Sequence, residues 1–169
     1  MRLGMVGLGR MGGGMTVRLL RGGHEVVAFD PDEGARARAR ATGAEAVGSL
    51  EELAAGLDPP RVVWTMVPAG EATERVVARL GELLEPGDVV VDGGNSHFRD
   101  SMRRAERLAA SGIRFVDCGV SGGVWGLRDG YCLMAGGEPR PSPSWSRPSG
   151  PWPPRAATPG SGRPAPAIS

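Results

Sequence analysis

Apolar positions in the first 117 residues follow two alternating periods. Short, nearly continuous apolar runs, the pattern of strands buried on both faces, occupy residues 2–7, 25–30, 61–67, 88–92 and 113–117, with a briefer one at 44–47. Helical patterns lie between them. Met11, Met15 and Leu19 recur at i, i+4 and i+8, and Val76, Val77, Leu80, Leu83 and Leu84 form an apolar stripe. Residues 32–41 predict a polar, Arg-rich helix, and Ser49-Leu-Glu-Glu52 has the capping-box form that opens a short helix to Ala55. Residues 99–111 predict a helix with Met102, Ala105 and Leu108 inward, ended by Gly112. Strands and helices in this alternation predict an α/β fold, a doubly wound and mostly parallel sheet of the Rossmann dinucleotide-binding kind.

The pattern stops near residue 138. Residues 139–169 hold ten Pro and four Arg, no acid and no periodic apolar positions, so they read as a disordered Pro/Ser/Arg-rich tail. The chain therefore divides into a domain, 1–138, and a tail, 139–169, leaving the sheet incomplete at its C-terminal end. The formal net charge of +1 hides the same division: 16 Arg against 19 acids in the domain, and four unopposed Arg in the tail. Neither part has the basic surplus of a nucleic-acid binder. No apolar run reaches membrane-spanning length, and the chain opens on a strand rather than a signal peptide. Cys118 and Cys132 lack metal-ligand spacing and read as reduced thiols of a cytoplasmic protein, with no metal expected. The sequence contains no Lys, no Gln and a single Asn, a bias expected of G/C-rich coding DNA.

Candidate chemistry gathers where strands end. Gly7-Leu8-Gly9-Arg10-Met11-Gly12 follows the first strand and opens the first helix, and Asp30 ends the second strand. This is the dinucleotide fingerprint in its required context. Gly7 permits the tight turn, Gly9 the approach of a pyrophosphate, Gly12 close helix–strand packing, and Asp30 accepts hydrogen bonds from the adenosine ribose. A carboxylate there repels a 2′-phosphate, which favours NAD over NADP, with Arg36 as the one nearby cation able to reverse the preference. Val67-Pro68-Ala69-Gly70 leaves a strand end at the same edge. Two further loops do likewise. Gly93-Gly94-Asn95-Ser96 combines close backbone approach with an amide, and Gly119-Val120-Ser121-Gly122-Gly123 sets successive N–H groups beside a hydroxyl, suited to an anion. Each alone also reads as an ordinary turn.

Together, Gly7 to Gly12, Asp92-Gly93-Gly94-Asn95-Ser96 and the run from Gly119 to Gly137 resemble the decarboxylating 6-phosphogluconate dehydrogenases, most of all their shorter, NAD-preferring branch. The resemblance reaches about residue 139. It extends to the sister 3-hydroxyisobutyrate dehydrogenases, which share the first motif and Val-Ser-Gly-Gly, but Asn95 favours the sugar-acid enzymes. It implies oxidation of 6-phosphogluconate at C3, loss of CO2 and formation of ribulose 5-phosphate, a step of the pentose phosphate pathway. It implies that Gly7, Leu8, Gly9, Arg10, Met11, Gly12, Asp30, Val67, Pro68, Ala69 and Asn95 hold the cofactor. Asn95 then contacts both cofactor and substrate, Ser121, Gly122 and Gly123 hold the substrate near its carboxylate and reacting hydroxyl, and Asn95 and Ser121 are the catalytic residues it implies in this domain.

In that family the general base is a lysine on a helix beyond this domain, a glutamate is the acid, and an all-helical domain builds a homodimer. These 169 residues contain no lysine, and the tail stands in place of the helix and the dimerisation domain. The expectation is a chain that binds NAD weakly and turns over little. The tail also reads as the family sequence in a shifted frame: G/C-favouring codons moved by two bases allow an amphipathic helix, and the coding DNA near codon 139 tests this. Two other readings are a 3-hydroxyacid dehydrogenase for a small unphosphorylated acid and a non-catalytic dinucleotide-binding module.

Overall fold

The computed structural model describes residues 1–137, apart from the side chain of Val124. The tail read from residue 139 onward, and its frame, lie outside the described residues. Six strands are parallel: β1 (Arg2–Val6), β2 (Glu25–Phe29), β3 (Glu45–Ala46), β4 (Val62–Thr65), β5 (Val89–Asp92) and β6 (Arg114–Ser121). A seventh, β7 (Cys132–Gly137), pairs antiparallel with β6, giving the order β3-β2-β1-β4-β5-β6-β7. The helices are α1 (Arg10–Arg21), α2 (Glu33–Ala41), α3 (Leu50–Ala55), α4 (Glu71–Leu83) and α5 (Phe98–Ala109), followed by a 3-10 turn, Gly123–Trp125, and a short α6 (Gly126–Asp129). Strand order reverses between β1 and β4, the switch point at which a doubly wound sheet opens a ligand crevice.

Each face of the sheet has its own core, which is why the strands read as apolar runs rather than alternating ones. On β2, Val27 joins Leu53 of α3, Val77 and Leu80 of α4 and Leu108 of α5 on one face. Its neighbours Val26 and Ala28 join Met15 of α1 and Ala35 and Ala39 of α2 on the other. Helix starts are chemically marked. Asp32 precedes α2 instead of entering it, and its carboxylate accepts the N–H of Gly34 and of Ala35, each at 3.0 Å. Ser49 Oγ accepts the Glu52 N–H at 3.1 Å as expected. The Glu52 carboxylate reaches back to the N–H of Gly48 at 2.7 Å, one residue before the position a capping box uses.

Three sequence expectations are corrected. Met102 is 58% exposed: α5 buries Ser101, Arg104 and Leu108, so its inner face lies to one side of the apolar stripe. Gly119, Val120 and Ser121 belong to β6, because β7 continues the ladder as far as Ser121–Cys132. The sheet therefore ends in β7, not β6, and all six residues of this edge strand are exposed.

The N-terminal edge of the sheet is fastened by Asp88, whose side chain is 1% exposed. Its carboxylate accepts the N–H of Arg61 at 2.6 Å, the N–H of Glu85 at 2.9 Å and the Arg61 guanidinium at 3.0 Å. Burial pushes this carboxyl up, but the two backbone donors and the guanidinium outweigh it and hold it below the usual carboxylate range.

Candidate functional site

The opposite edge carries the crevice. Gly7 has φ +92°, and a Cβ there would lie 2.6 Å from the Met66 carbonyl oxygen; one on Gly12 would lie 1.9 Å from that of Gly7. Both glycines are required by the protein's own packing. Gly9 is different. It caps α1 with φ −61°, and beyond its own chain neighbours nothing lies within 4 Å of where a Cβ would stand. Nothing in the chain demands glycine at this position, so the cleared space at the N-terminus of a 12-residue helix fits a ligand phosphate.

Asp30 is aimed at the same loop. Its carboxylate accepts the Leu8 N–H at 2.7 Å through one oxygen and the Asp32 N–H at 2.8 Å through the other, leaving one lone pair on each for a ribose diol. Leu8 and Met11 send their side chains into the core on the α1 side, whereas Arg10 is exposed. Arg36 is committed elsewhere: its guanidinium donates to the carbonyls of Asp30 at 2.6 Å and Pro31 at 3.1 Å and pairs with Glu33.

Beyond the switch point three loops touch in sequence. Val67 lies against Gly7, Thr73 Oγ1 donates to the Pro68 carbonyl at 2.9 Å, and Pro68 and Ala69 are exposed at the rim. A Cβ on Gly94 would stand 2.5 Å from the Val67 carbonyl oxygen, so the loop after β5 rests directly on the loop after β4. Asn95 follows with φ 56°, the one non-glycine residue with positive φ among the described residues. Its Oδ1 accepts the Val120 N–H at 3.3 Å, which brings the Gly-Gly-Asn-Ser loop to the end of β6, next to the exposed Ser121. A cavity of about 490 Å³ here is lined by Asn95, Ser96, Asp117, Gly119, Met134, Ala135 and Gly136. A second of about 490 Å³, on the α1 side, brings Gly9 and Arg10 together with Gly123 and Tyr131. Ser121 and Gly122 border neither; Gly122, at φ +141°, packs against the Tyr131 ring.

The polar centre behind these loops joins Asp92 and Ser96, the ends of the second motif, to Arg104 and Glu74, which belong to none. Arg104 is 2% exposed and Asp92 wholly buried. The Arg104 guanidinium donates to Glu74 at 2.9 Å, Ser96 Oγ at 2.9 Å and Asp92 at 3.2 Å, and its remaining nitrogen faces the Gly70 carbonyl at 3.5 Å. Asp92 also accepts the Ser96 hydroxyl at 2.7 Å and the Gly94 N–H at 3.0 Å. An acid closing an otherwise all-valine strand, with arginine inside the next helical pattern, is the signal that could have found it. Outside the crevice, His97 caps α5 by accepting the Arg99 N–H, Trp125 and Cys132 are exposed, and Cys118 is buried. Burial pushes the Cys118 thiol up, away from a reactive thiolate. Among the described residues, no three His, Cys, Asp or Glu are grouped to hold a metal, and no helix is long and apolar enough to cross a membrane.

A Rossmann strand order, open space over Gly9 at the start of α1 and an acid closing β2 that accepts the Leu8 N–H define an NAD-binding α/β domain of the dehydrogenase type. The family described as the NAD binding domain of 6-phosphogluconate dehydrogenase matches residues 2–145, and the chain belongs to it. A Haloferax volcanii protein named NAD(+)-dependent, decarboxylating 6-phosphogluconate dehydrogenase is 47% identical over 146 residues, covering 86% of this chain and 46% of that protein. A Haemophilus influenzae 6-phosphogluconate dehydrogenase is 41% identical, covering 80% and 29%. Among solved structures, Plasmodium falciparum 6-phosphogluconate dehydrogenase superposes with a TM-score of 0.74 at 28% identity, covering 82% of this chain and 31% of that one. Mycobacterium tuberculosis 3-hydroxyisobutyrate dehydrogenase, solved with L-serine, gives 0.73 at 31%, covering 81% and 46%. The chain thus spans under half the length of each of these relatives.

Proposed function

We propose that this domain is the cofactor half of an NAD-dependent enzyme that oxidises and decarboxylates 6-phosphogluconate to ribulose 5-phosphate. The observation that carries this reading is the bond from the Val120 N–H to Asn95 Oδ1, which joins the amide loop to the strand end that carries Ser121. Gly7, Gly9, Gly12 and the α1 N-terminus hold the pyrophosphate, with Leu8, Arg10 and Met11 shaping the loop. Asp30 holds the adenosine ribose, and Val67, Pro68, Ala69 and Asn95 flank the nicotinamide half. NAD supplies a hydride acceptor. Asn95, Ser121, Gly122 and Gly123 hold the acid so that its C3–H faces that acceptor within near-attack distance. The Asp30 carboxylate disfavours a 2′-phosphate, and the Arg36 guanidinium is directed at the Asp30 and Pro31 carbonyls and Glu33, so NAD is preferred to NADP.

The 169 residues include no lysine, so they bind NAD and turn over little or nothing; losing a general base costs roughly 10²–10⁴ in rate. The test is NMR of the labelled chain with NADH present. Addition of 6-phosphogluconate shifts the Asn95 side-chain amide and the Ser121–Gly123 backbone amides, while 3-hydroxyisobutyrate does not. The reverse pattern would favour the second reading, a small 3-hydroxyacid as substrate, which the superposition on 3-hydroxyisobutyrate dehydrogenase keeps in view. No shift with either acid would leave a non-catalytic NAD-binding module. Whether the whole enzyme pairs as a homodimer belongs to the same proposal and is tested on a full-length chain.

A further inference from the structure

We infer that Arg104 is a positioning residue: it shapes the nicotinamide end of the crevice and not the adenosine end, an inference that rests on the NAD reading above. A doubly wound sheet seats one half of a dinucleotide on each side of its switch point. The Gly9 clearing and Asp30 serve the β1–β2 side. The loops after β4 and β5 serve the other, and Arg104 touches both of them.

Its guanidinium bonds to Glu74 in the first turn of α4, faces the Gly70 carbonyl that precedes that helix, and bonds to Asp92 and Ser96 on either side of the Gly93–Asn95 segment. Asp92 in turn holds the Gly94 N–H. Both chain neighbours of Asn95 are therefore fixed, Gly94 by Asp92 and Ser96 by Arg104 and Asp92. This clamp brackets Asn95, at φ 56° in the left-handed region that asparagine tolerates better than most L-residues, and its Oδ1 accepts the Val120 N–H. A guanidinium can serve four acceptors in one plane because its donors form a rigid fork; an ammonium cannot.

The molecule contains its own control. Arg61 and Asp88 form a buried ion pair at the N-terminal edge, where it joins the starts of β4 and β5 and touches no crevice loop. If Arg104 acted only through stability, variants of the two pairs would behave alike.

The experiment is calorimetric titration of the full 169-residue chain with NAD and, separately, with ADP, which lacks the ribosyl-nicotinamide. Arg104→Lys raises the NAD dissociation constant about tenfold and leaves that of ADP within about twofold, the effect of removing one charge-assisted hydrogen bond at one end only. Asp88→Asn lowers the melting temperature and leaves the ratio of the two constants unchanged. Ser96→Ala, which removes the two Ser96 bonds of the clamp and no charge, gives the same selective loss to a smaller degree and moves the Asn95 amide resonances, so the inference stays testable if Arg104→Lys does not fold. Equal weakening of NAD and ADP, or no weakening of either, in a folded Arg104→Lys or Ser96→Ala chain overturns it. Failure of the unmodified chain to bind either ligand overturns the NAD reading itself, and the inference with it.

Discussion

Asp30→Asn separates the two jobs of one carboxylate. In the native chain each oxygen already accepts one backbone N–H, at 2.7 and 2.8 Å, so the carboxylate's orientation is fixed before any ligand arrives. Asparagine is nearly isosteric but turns one oxygen into a donor, which must then oppose the N–H of Leu8 or of Asp32. The remaining oxygen bonds the ribose without charge. A hydrogen bond to a charged group is worth about 1.5–3 kcal/mol against about 1 for a neutral one, so NAD should weaken about tenfold. The opposite effect is expected for NADP. A carboxylate about 5 Å from a 2′-phosphate is repelled by roughly 1–3 kcal/mol between water-like and protein-like dielectric. Removing that charge should improve NADP about fivefold or more. Titration calorimetry with both dinucleotides reads the two changes, and thermal melts read the separate cost of the frustrated N–H. If the unmodified chain binds NADP as tightly as NAD, or if Asp30→Asn leaves NAD unchanged within about threefold, the placement of the adenosine ribose at Asp30 is refuted.

Three further outcomes can be checked on the same chain. The Asp88 carboxyl is held below its unfolded value, so its contribution to stability is complete above the unfolded pKa and is lost as pH falls through the lower folded value; Asp88→Asn should flatten the acid limb of melting temperature against pH. A Cβ on Gly14 would stand 2.3 Å from the Tyr131 hydroxyl but 3.5 Å from the ring carbon that bears it, so Gly14→Ala should cost about 1–2 kcal/mol by denaturant titration and recover in a Tyr131→Phe background. On α5, Leu108→Ala should cost about 2–5 kcal/mol, whereas Met102→Ala should lie within about 0.5 kcal/mol of zero, because Leu108 is 2% and Met102 58% exposed.

What can be read from sequence follows from how many independent constraints meet on one residue. Gly7 and Gly12 are forced by backbone atoms of the protein itself, so the first motif is unambiguous in any chain that folds this way. Strands buried on two faces leave apolar runs, and the parallel strands other than the two-residue edge strand β3 are legible as such. β7 leaves no such trace: Cys132–Gly137 is exposed throughout, ends in two glycines, and owes its conformation to pairing with β6. Helix α5 misleads for a related reason. Its apolar stripe predicts the inner face, yet two of the three residues it buries are Ser101 and Arg104, because what it packs over is the buried Asp92 as well as the core. Tertiary burial of charge does not register in hydrophobic periodicity.

The same distribution of charge bears on turnover. Oxidising a secondary alcohol by hydride transfer requires a proton acceptor at the hydroxyl as well as a hydride acceptor at the carbon. Of the carboxylates near the crevice, Asp30 is directed at the adenosine end, and Asp92 is enclosed by Arg104, Ser96 and Gly94. Asn95 and Ser121 supply an amide and a hydroxyl, groups that orient a substrate but are weak bases at neutral pH. Asp117 is the one carboxylate among the residues lining the cavity beside Asn95. On the reading proposed above, binding and chemistry are separable: Asn95 and Ser121 would orient the substrate, while a lysine base, a residue type absent from these 169 residues, would have to reach the reacting hydroxyl from elsewhere. On that reading, a longer chain that adds a lysine base to this domain should gain rate chiefly in kcat, with the NAD dissociation constant changing much less, since the base acts on the reacting hydroxyl and not on the dinucleotide.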